Sequence, residues 1–465
     1  MVRNKHSIKK GGEEKRGKKG SMRKASVYFT LVFCCLVGLN FALSKNSEKE
    51  IHQERARPAA EMIRMAAADK AEKIEIPSAE KVEKIESEPT YELRKVAEEK
   101  KEETEIVSKE EKKEEVTPTI EAKKKVMKPK NVRGIYLTAS MTASNNLEKL
   151  IDALIENKGN AVVIDIEIGG GQLAFQPKNE TLKEINPGST MLNDFPEIIK
   201  KLHERNIYVI ARQVVFNDPY TSTRRPEWRI KYRWNNGYYD YRWLDPSKAA
   251  VQNYNLMIMQ EAADLGFDEI QFDYIRFPAA NQASLDYDFD EEKFEYHEII
   301  TEFLKKARKI ADEKDVKLGV DTFGAIVWGD VDWKVVGQSV EGMSEYVDVI
   351  YPMTYPSHYS PGFHGIYNMY YAPYDIVHDS IIKFVERSKG KAEIRPWIQG
   401  FPLKAQNFGP KYIADQIQAG YDAGAEGFVI WSPGNVYTHS WAEMGMIPSP
   451  TPVTEAEIAE ETVNE

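Results

Sequence analysis

The sequence predicts an α/β protein built as a (β/α)8 barrel, preceded by a membrane segment and a charged linker. Three observations lead there. Apolar, β-rich runs alternate with helical patterns between residues 131 and 448, the sign of a parallel sheet with crossovers. Polar residues collect at the C-terminal ends of those runs, where barrels of this class carry their reactive groups. Ahead of them stand a basic head, an apolar stretch and a Glu/Lys-dense segment that has little to bury.

The N-terminal elements come first. Residues 1–25 are rich in Lys and Arg, and residues 26–44, from "ASVYFTLVFCCLVGLNFALS", are nearly continuously apolar. That length reaches across a bilayer at the short end. A basic flank before an apolar core predicts a cytoplasmic head and an exported remainder. An uncleaved single-pass anchor fits the long head; a cleaved signal peptide, with "ALS" at Ala42–Ser44 as its site, is the alternative and would give a secreted protein. Both cysteines, Cys34 and Cys35, lie in this stretch. The exported part therefore has no disulfide, no thiolate nucleophile and no Cys-based metal site.

Residues 45–130 are dense in Glu and Lys and nearly free of aromatics. Such a chain cannot offset its ordering entropy by burial, so it reads as a disordered spacer rather than a coiled coil. Residues 449–465 read as a disordered acidic tail. The whole chain has 465 residues and a formal net charge of -10, and no nucleic-acid partner is expected.

Eight runs make up the domain at 131–448: "RGIYLT", "AVVIDIEI", "IYVIARQV", "EIQFDYI", "VKLGVDT", "VDVIYPMTY", "IRPWIQGF" and "EGFVIWS". Helical patterns separate most of them, among them "NLEKLIDALIEN", "DFPEIIKKLHER" and "EYHEIITEFLKKARKIADEK". Eight such units close into a barrel; an open doubly wound sheet is the runner-up. Within the runs, polar residues recur at spacing two, which puts them on one face of each strand. They are Asp165 and Glu167, Arg212, Gln271 and Asp273, Asp321, Tyr351 and Tyr355, Gln399, and Trp431. The longest insertion follows the third run and carries Trp228, Trp234 and Trp243; it reads as a substrate wall. Asp245, in "WLDPS", reads as a helix cap. The Gly-rich "IGGGQ" at Ile168–Gln172 reads as a tight rim loop or a plain turn.

These residue types narrow the chemistry. The eight His are scattered, with no HExxH and no pair at ligand spacing, so no metal is expected. No phosphate-cradling loop and no GxSxG elbow are present, and no cofactor is expected. Carboxylates in a cleft lined by aromatic rings suit glycoside hydrolysis, in which one supplies the acid and another the nucleophile or base. The partner is then a polysaccharide or oligosaccharide.

Two resemblances follow from particular residues. "GFDEIQFDYIRFP", Gly266–Pro278, resembles the fourth strand of chitinase-type barrels, whose pattern is Asp-Gly-x-Asp-x-Asp-x-Glu. Asp268 matches the first Asp and Asp273 the third. Gln271 replaces the middle Asp, and Ile275 stands where the catalytic Glu would be, so that family's substrate-assisted mechanism does not carry over. "MTY" at Met353–Tyr355 and "GAEGFVIWS" resemble its sixth and eighth strands, which implies Trp431 as the floor of a sugar site.

A fuller match covers the domain. "VRGIYLT", "VVIDIEIGGGQ", "RPEWRI", "WLDPS", "FDEIQFDYIRFP", "YPMTYPSHY" and "IWSPGN" resemble a bacterial family described as "putative glycoside hydrolases". The resemblance implies the barrel and, by analogy, glycosidase activity. Amylase-type barrels carry a nucleophilic Asp at the end of strand four, which implies Asp273 as nucleophile or base. The partner acid is Asp321 first, then Glu167 or Asp165. Arg212 or Arg276 would keep a carboxylate ionised; Tyr355, Gln399, Trp431 and Trp243 would contact substrate. The functional alternative is a non-catalytic glycan-binding or envelope scaffold protein on the same barrel.

Overall fold

The computed structural model describes residue 129, residues 131–235 and residues 237–446. The expected basic head, apolar stretch at 26–44, linker and acidic tail lie outside the described residues. Among the described residues, no helix is long and apolar enough to cross a membrane.

Nine parallel strands form the main sheet: β1 (Val132–Leu137), β2 (Ala161–Asp165), β3 (Tyr208–Val214), β4 (Glu269–Asp273), β5 (Lys317–Phe323), β6 (Val349–Met353), β7 (Glu393–Ile394), β8 (Trp397–Gln399) and β9 (Gly427–Trp431). Their order is β7-β6-β5-β4-β3-β2-β1-β9-β8. The first and last strands of that order are consecutive in the chain, separated by Arg395 and Pro396. Arg395 N–H donates to the Ile350 carbonyl on β6 at 2.9 Å, and Val429 N–H on β9 donates to the Pro396 carbonyl at 3.0 Å. One segment thus serves both neighbours, and Pro396, which has no N–H, splits it into two assigned strands. The result is a curled parallel sheet of TIM-like α/β type.

Helices pack outside: α1 (Leu147–Glu156), α2 (Phe195–Glu204), α3 (Ala249–Leu265), α4 (Tyr296–Lys314), α5 (Val340–Ser344), α6 (Tyr374–Ser388), α7 (Pro410–Asp422) and α8 (Trp441–Met446). α4 shows why they form. A capping box between Glu295 and Glu298 starts it, and Ile300, Phe303, Leu304, Ala307 and Ala311 recur at three-to-four spacing to make one buried stripe. Phe303 meets Phe272 of β4 and Phe216, with ring centroids 5.5 and 5.4 Å away. Truncating such a ring to Ala costs about 3–5 kcal/mol.

Strand alternation divides the apolar residues into two cores. Ile270, Phe272, Leu318 and Val320 face the helices. Val132, Tyr136, Val163, Tyr208, Ile210, Tyr351, Trp397 and Val429 face inward. Near the N-terminal ends of the strands, the interior holds a buried charge network. Glu269 accepts from the Tyr208 hydroxyl (3.0 Å), the Tyr351 hydroxyl (2.5 Å) and Arg395 Nη1 (3.3 Å). Gly319 makes room for it: a Cβ there would lie 2.6 Å from Glu269 Oε1 and 2.8 Å from the Tyr351 ring. Glu269 is therefore a buried structural ion partner of Arg395, far down the strand from Asp273.

Candidate active site

The register of three neighbouring strands builds the cluster at the other end. Asp165, the last residue of β2, is paired in register with Arg212 of β3. Val214, two residues on, is paired with Asp273, the last residue of β4. Side chains two apart share a face, so Asp165, Arg212 and Asp273 converge. Arg212 Nη1 donates to Asp165 Oδ1 at 2.5 Å, Nη2 donates to Asp273 Oδ2, and Nε lies 3.9 Å from Asp321 Oδ2 on β5. One guanidinium fork thus serves three carboxyl groups.

Further contacts fix the cluster. The Tyr136 hydroxyl, from β1, donates to Asp165 Oδ2. Asp273 Oδ1 accepts the Tyr274 N–H at 2.6 Å. Trp397 Nε1 donates to Asp321 Oδ1 at 2.7 Å, while Asp321 Oδ2 is buried with no hydrogen bond. Tyr274 follows Asp273 with a φ of 53°. A bulky residue in this left-handed region is strained, and the turn ends β4 at Asp273.

The environment separates the carboxyl groups. Burial raises the Asp165 carboxyl above the usual carboxylate range against the pull of Arg212. Burial, then the nearby Asp273 charge, raises Asp321 well above that range. Burial works against the Arg212 charge, but Asp165 and Asp273 outweigh it and hold its pKa above the ordinary value. Asp165 and Arg212 keep 16% and 17% of their side-chain surface exposed, whereas Asp321 keeps 1%. Of the raised acids facing Arg212, Asp165 is the accessible one.

An aromatic wall stands beside the carboxylates. Trp431 stacks on Tyr355 (centroids 5.3 Å apart, planes 25° apart) and meets the edges of Phe401 and Tyr136 at 4.9 and 6.4 Å. Trp431 is half-buried and Tyr355 buried. Next to this wall a cavity of about 240 Å³ is lined by Gly400, Phe401, Phe408, Ser432, Val436 and His439. A second cavity, about 360 Å³, lies between α1 and α2, against Leu147, Ile198 and Arg205, away from the carboxylates.

The other expected residues fall as follows. Glu167 sits in a short hairpin beyond β2, where Oε2 accepts Val214 N–H at 3.3 Å. Burial, then Asp218 and Asp165, raise its carboxyl well above the usual range. Gln399 is fully buried and tied to backbone: Oε1 accepts Ser357 N–H, and Nε2 donates to the Phe401 and Leu403 carbonyls, all at 3.0 Å. Trp243 and Arg276 lie together rather than with Arg212, the guanidinium carbon 4.8 Å from the indole centroid. In the insertion, Trp228 packs on Tyr254 and Trp234 is exposed, so the three tryptophans form no common wall. Asp268 is held by His203 and Val209 N–H. Asp245 does not cap α3, whose cap residue is Lys248; it accepts from Ser247 N–H at 2.9 Å in a turn ahead of the helix. "IGGGQ" is the hairpin turn, where a Cβ on Gly171 would meet Asp218 Oδ1. Tyr136 and Trp397 were not singled out in the sequence. Their only signal is position: Tyr136 near the end of the first run, Trp397 two residues before Gln399.

The match to known proteins bears on this arrangement. Residues 134–437, more than half of the chain, match the model of a family described as "Putative glycosyl hydrolase domain". The chain belongs to this family. The glycosyl hydrolase domain so defined contains Tyr136, Asp165, Arg212, Asp273, Asp321, Tyr355 and Trp431. A search of curated proteins found no match. Among solved structures, a hypothetical protein from Ruminiclostridium thermocellum is 36% identical over 40% of this chain and 96% of its own, with a TM-score of 0.36. The PgaB (BpsB) glycoside hydrolase domain from Bordetella bronchiseptica is 15% identical over 68% of this chain and 100% of its own, with a TM-score of 0.51; at that identity the likeness is one of fold. A β-N-acetylhexosaminidase from Bacteroides fragilis is 13% identical over 72% and 70%, with a TM-score of 0.45.

Proposed function

We propose that this chain is a glycosidase acting on cell-wall or extracellular polysaccharide through the carboxyl groups gathered by Arg212. The observation that carries the reading is the single guanidinium joining Asp165 and Asp273 beside a half-buried tryptophan. Carboxyl pairs that cleave glycosidic bonds stand about 5–9.5 Å apart, a span that two groups on one guanidinium suit. Asp273, paired with Arg212 at the end of β4, serves as nucleophile or base. Asp165 serves as the acid: its carboxyl is raised by burial yet reaches the mouth. Asp321, the first-ranked acid by sequence, keeps 1% exposure and acts instead as a positioning residue held by Trp397. Trp431 offers an apolar face to a sugar ring.

Reading residues 393–399 as one strand makes the count eight and the sheet a closed (β/α)8 barrel with this site at its C-terminal mouth. The basic head and the apolar stretch at 26–44 support a single-pass tether with the domain outside the cytoplasm.

A second reading has its own support. Each oxygen of Asp165 and Asp273 already accepts a hydrogen bond from Tyr136, Arg212 or Tyr274, as suits a glycan-binding protein that does no chemistry. A hydrolysis screen on the full chain beside its Asp273→Asn variant separates the two. Reducing ends released by the parent alone support the glycosidase; glycan binding without release by either supports the binder.

A further inference from the structure

Arg276 is 8% exposed, and its neighbours are unusual for a buried cation. Nη1 donates to the Phe277 carbonyl at 3.0 Å. Among the described residues, no carboxylate lies within ion-pair distance of it; the nearest candidate in sequence, Asp273, is taken by Arg212. Its guanidinium carbon instead lies over three rings, 4.2 Å from the Phe323 centroid, 4.8 Å from Trp243 and 5.2 Å from Tyr274. Ring faces compensate a cation only in part, at about 0.5–2 kcal/mol each. Burial pulls its pKa down to about 10, which leaves it charged at neutral pH.

The cage stands at the mouth of the barrel. Phe323 ends β5, two residues beyond Asp321, and Tyr274 adjoins Asp273. The left-handed turn at Tyr274, closed by Arg276 N–H on the Tyr274 carbonyl at 2.9 Å, brings the arginine back beside the end of β4. A buried charge is costly unless it is paired or used, and the guanidinium fork matches a carboxylate in two-point contact.

The geometry points to Arg276 as the binding site for the carboxylate of an acidic sugar, set beside the Asp273 centre. This names the substrate class of the proposed glycosidase and rests on that reading for placing a sugar at the mouth. The charged group is either a ring carboxylate, as in a hexuronic acid, or a lactyl ether carboxylate, as in a muramic acid; Arg276 recognises the chemistry they share.

The test is binding to the full chain. D-glucuronate is titrated against D-glucose, and N-acetylmuramate against N-acetylglucosamine. At least one acid is expected to bind about tenfold or more tightly than its neutral counterpart, and the preferred pair identifies the source of the carboxylate. Arg276→Met should abolish the preference. Arg276→Lys, which keeps a cation and stem in the ring cage but lacks the fork, should reduce it to about twofold at an unchanged melting temperature. Equal binding of acids and neutral sugars, or a preference that survives Arg276→Met, would overturn the inference. Turnover of neutral glycans without acid preference would discard the role of Arg276 and keep the glycosidase. Arg276-dependent acid binding without turnover of any glycan would do the reverse.

Discussion

Asp273 pairs with Arg212, one strand away, and not with Arg276, three residues along its own chain. The register of β3 and β4 aims Arg212 at the end of β4, while the turn at Tyr274 sends Arg276 into its ring cage. That division gives the mouth one cation committed to the carboxyl cluster and another without a carboxylate partner.

Arg212→Met should unfold the protein more readily. Removing the shared cation leaves Asp165 and Asp273 without their guanidinium partner, a change worth about 3–5 kcal/mol. Asp165 and Asp321, already raised by burial, would then hold protons more tightly than in the unfolded chain. The deficit should shrink as pH falls and grow as pH rises through their folded-state values. Urea unfolding at several pH values, with the parent alongside, measures both.

Asp218 gives a pH signature outside the cluster. Burial pushes its carboxyl up to about 6, from about 3.9 in an unfolded chain. The favourable contribution of its proton is complete below about pH 4 and lost as pH rises through 6. Asp218→Asn keeps an acceptor for the Thr221 N–H and carries no charge. It should match the parent near pH 4 and exceed it by up to about 3 kcal/mol at pH 7.5, as read by thermal unfolding at both values.

Trp431→Ala should weaken substrate binding more than turnover. Trp431 is half-buried, so its loss removes the sugar face and the Tyr355 stack with limited damage to the core. An increase in KM of about 5- to 100-fold, near 1–3 kcal/mol, with a smaller change in kcat, is expected from steady-state kinetics.

Glu269→Ala tests the separation between the two ends of the interior. Leaving Arg395 with Glu393, 2.5 Å from its Nη2, in place of the buried Glu269 pair should cost about 3 kcal/mol. Activity per folded molecule should stay at the parent level, since Glu269 lies at the opposite end of β4 from Asp273. A loss of kcat in fully folded protein would show that the two ends are coupled.

Much of this was legible in the sequence, for identifiable reasons. Period-two alternation puts Asp165, Arg212, Asp273 and Asp321 on inward faces at strand ends, and a parallel sheet brings such ends together. Cross-strand register was not legible. Nothing local distinguishes Arg212 from Arg276 as the partner of Asp273, because the choice depends on β3 lying beside β4 and on the backbone of Tyr274. A tyrosine in an apolar run reads as core, which hides the role of Tyr136. Gln399 reads as a rim contact because its bond to Ser357 forms only when a distant loop meets the turn through Phe401 and Leu403. The seventh run reads as one strand, and Pro396 divides its ladder.

Glycan hydrolysis by the full chain and by Asp273→Asn, followed as released reducing ends, tests the glycosidase and its Asp273 most directly. Substrates should span peptidoglycan, chitin-type glycans, α- and β-glucans and polyuronates. Release by the parent on at least one substrate is expected, with a fall of about a thousandfold or more in the folded variant. Equal release by both proteins would contradict the place given to Asp273, and no release by the parent on any substrate would contradict the glycosidase itself.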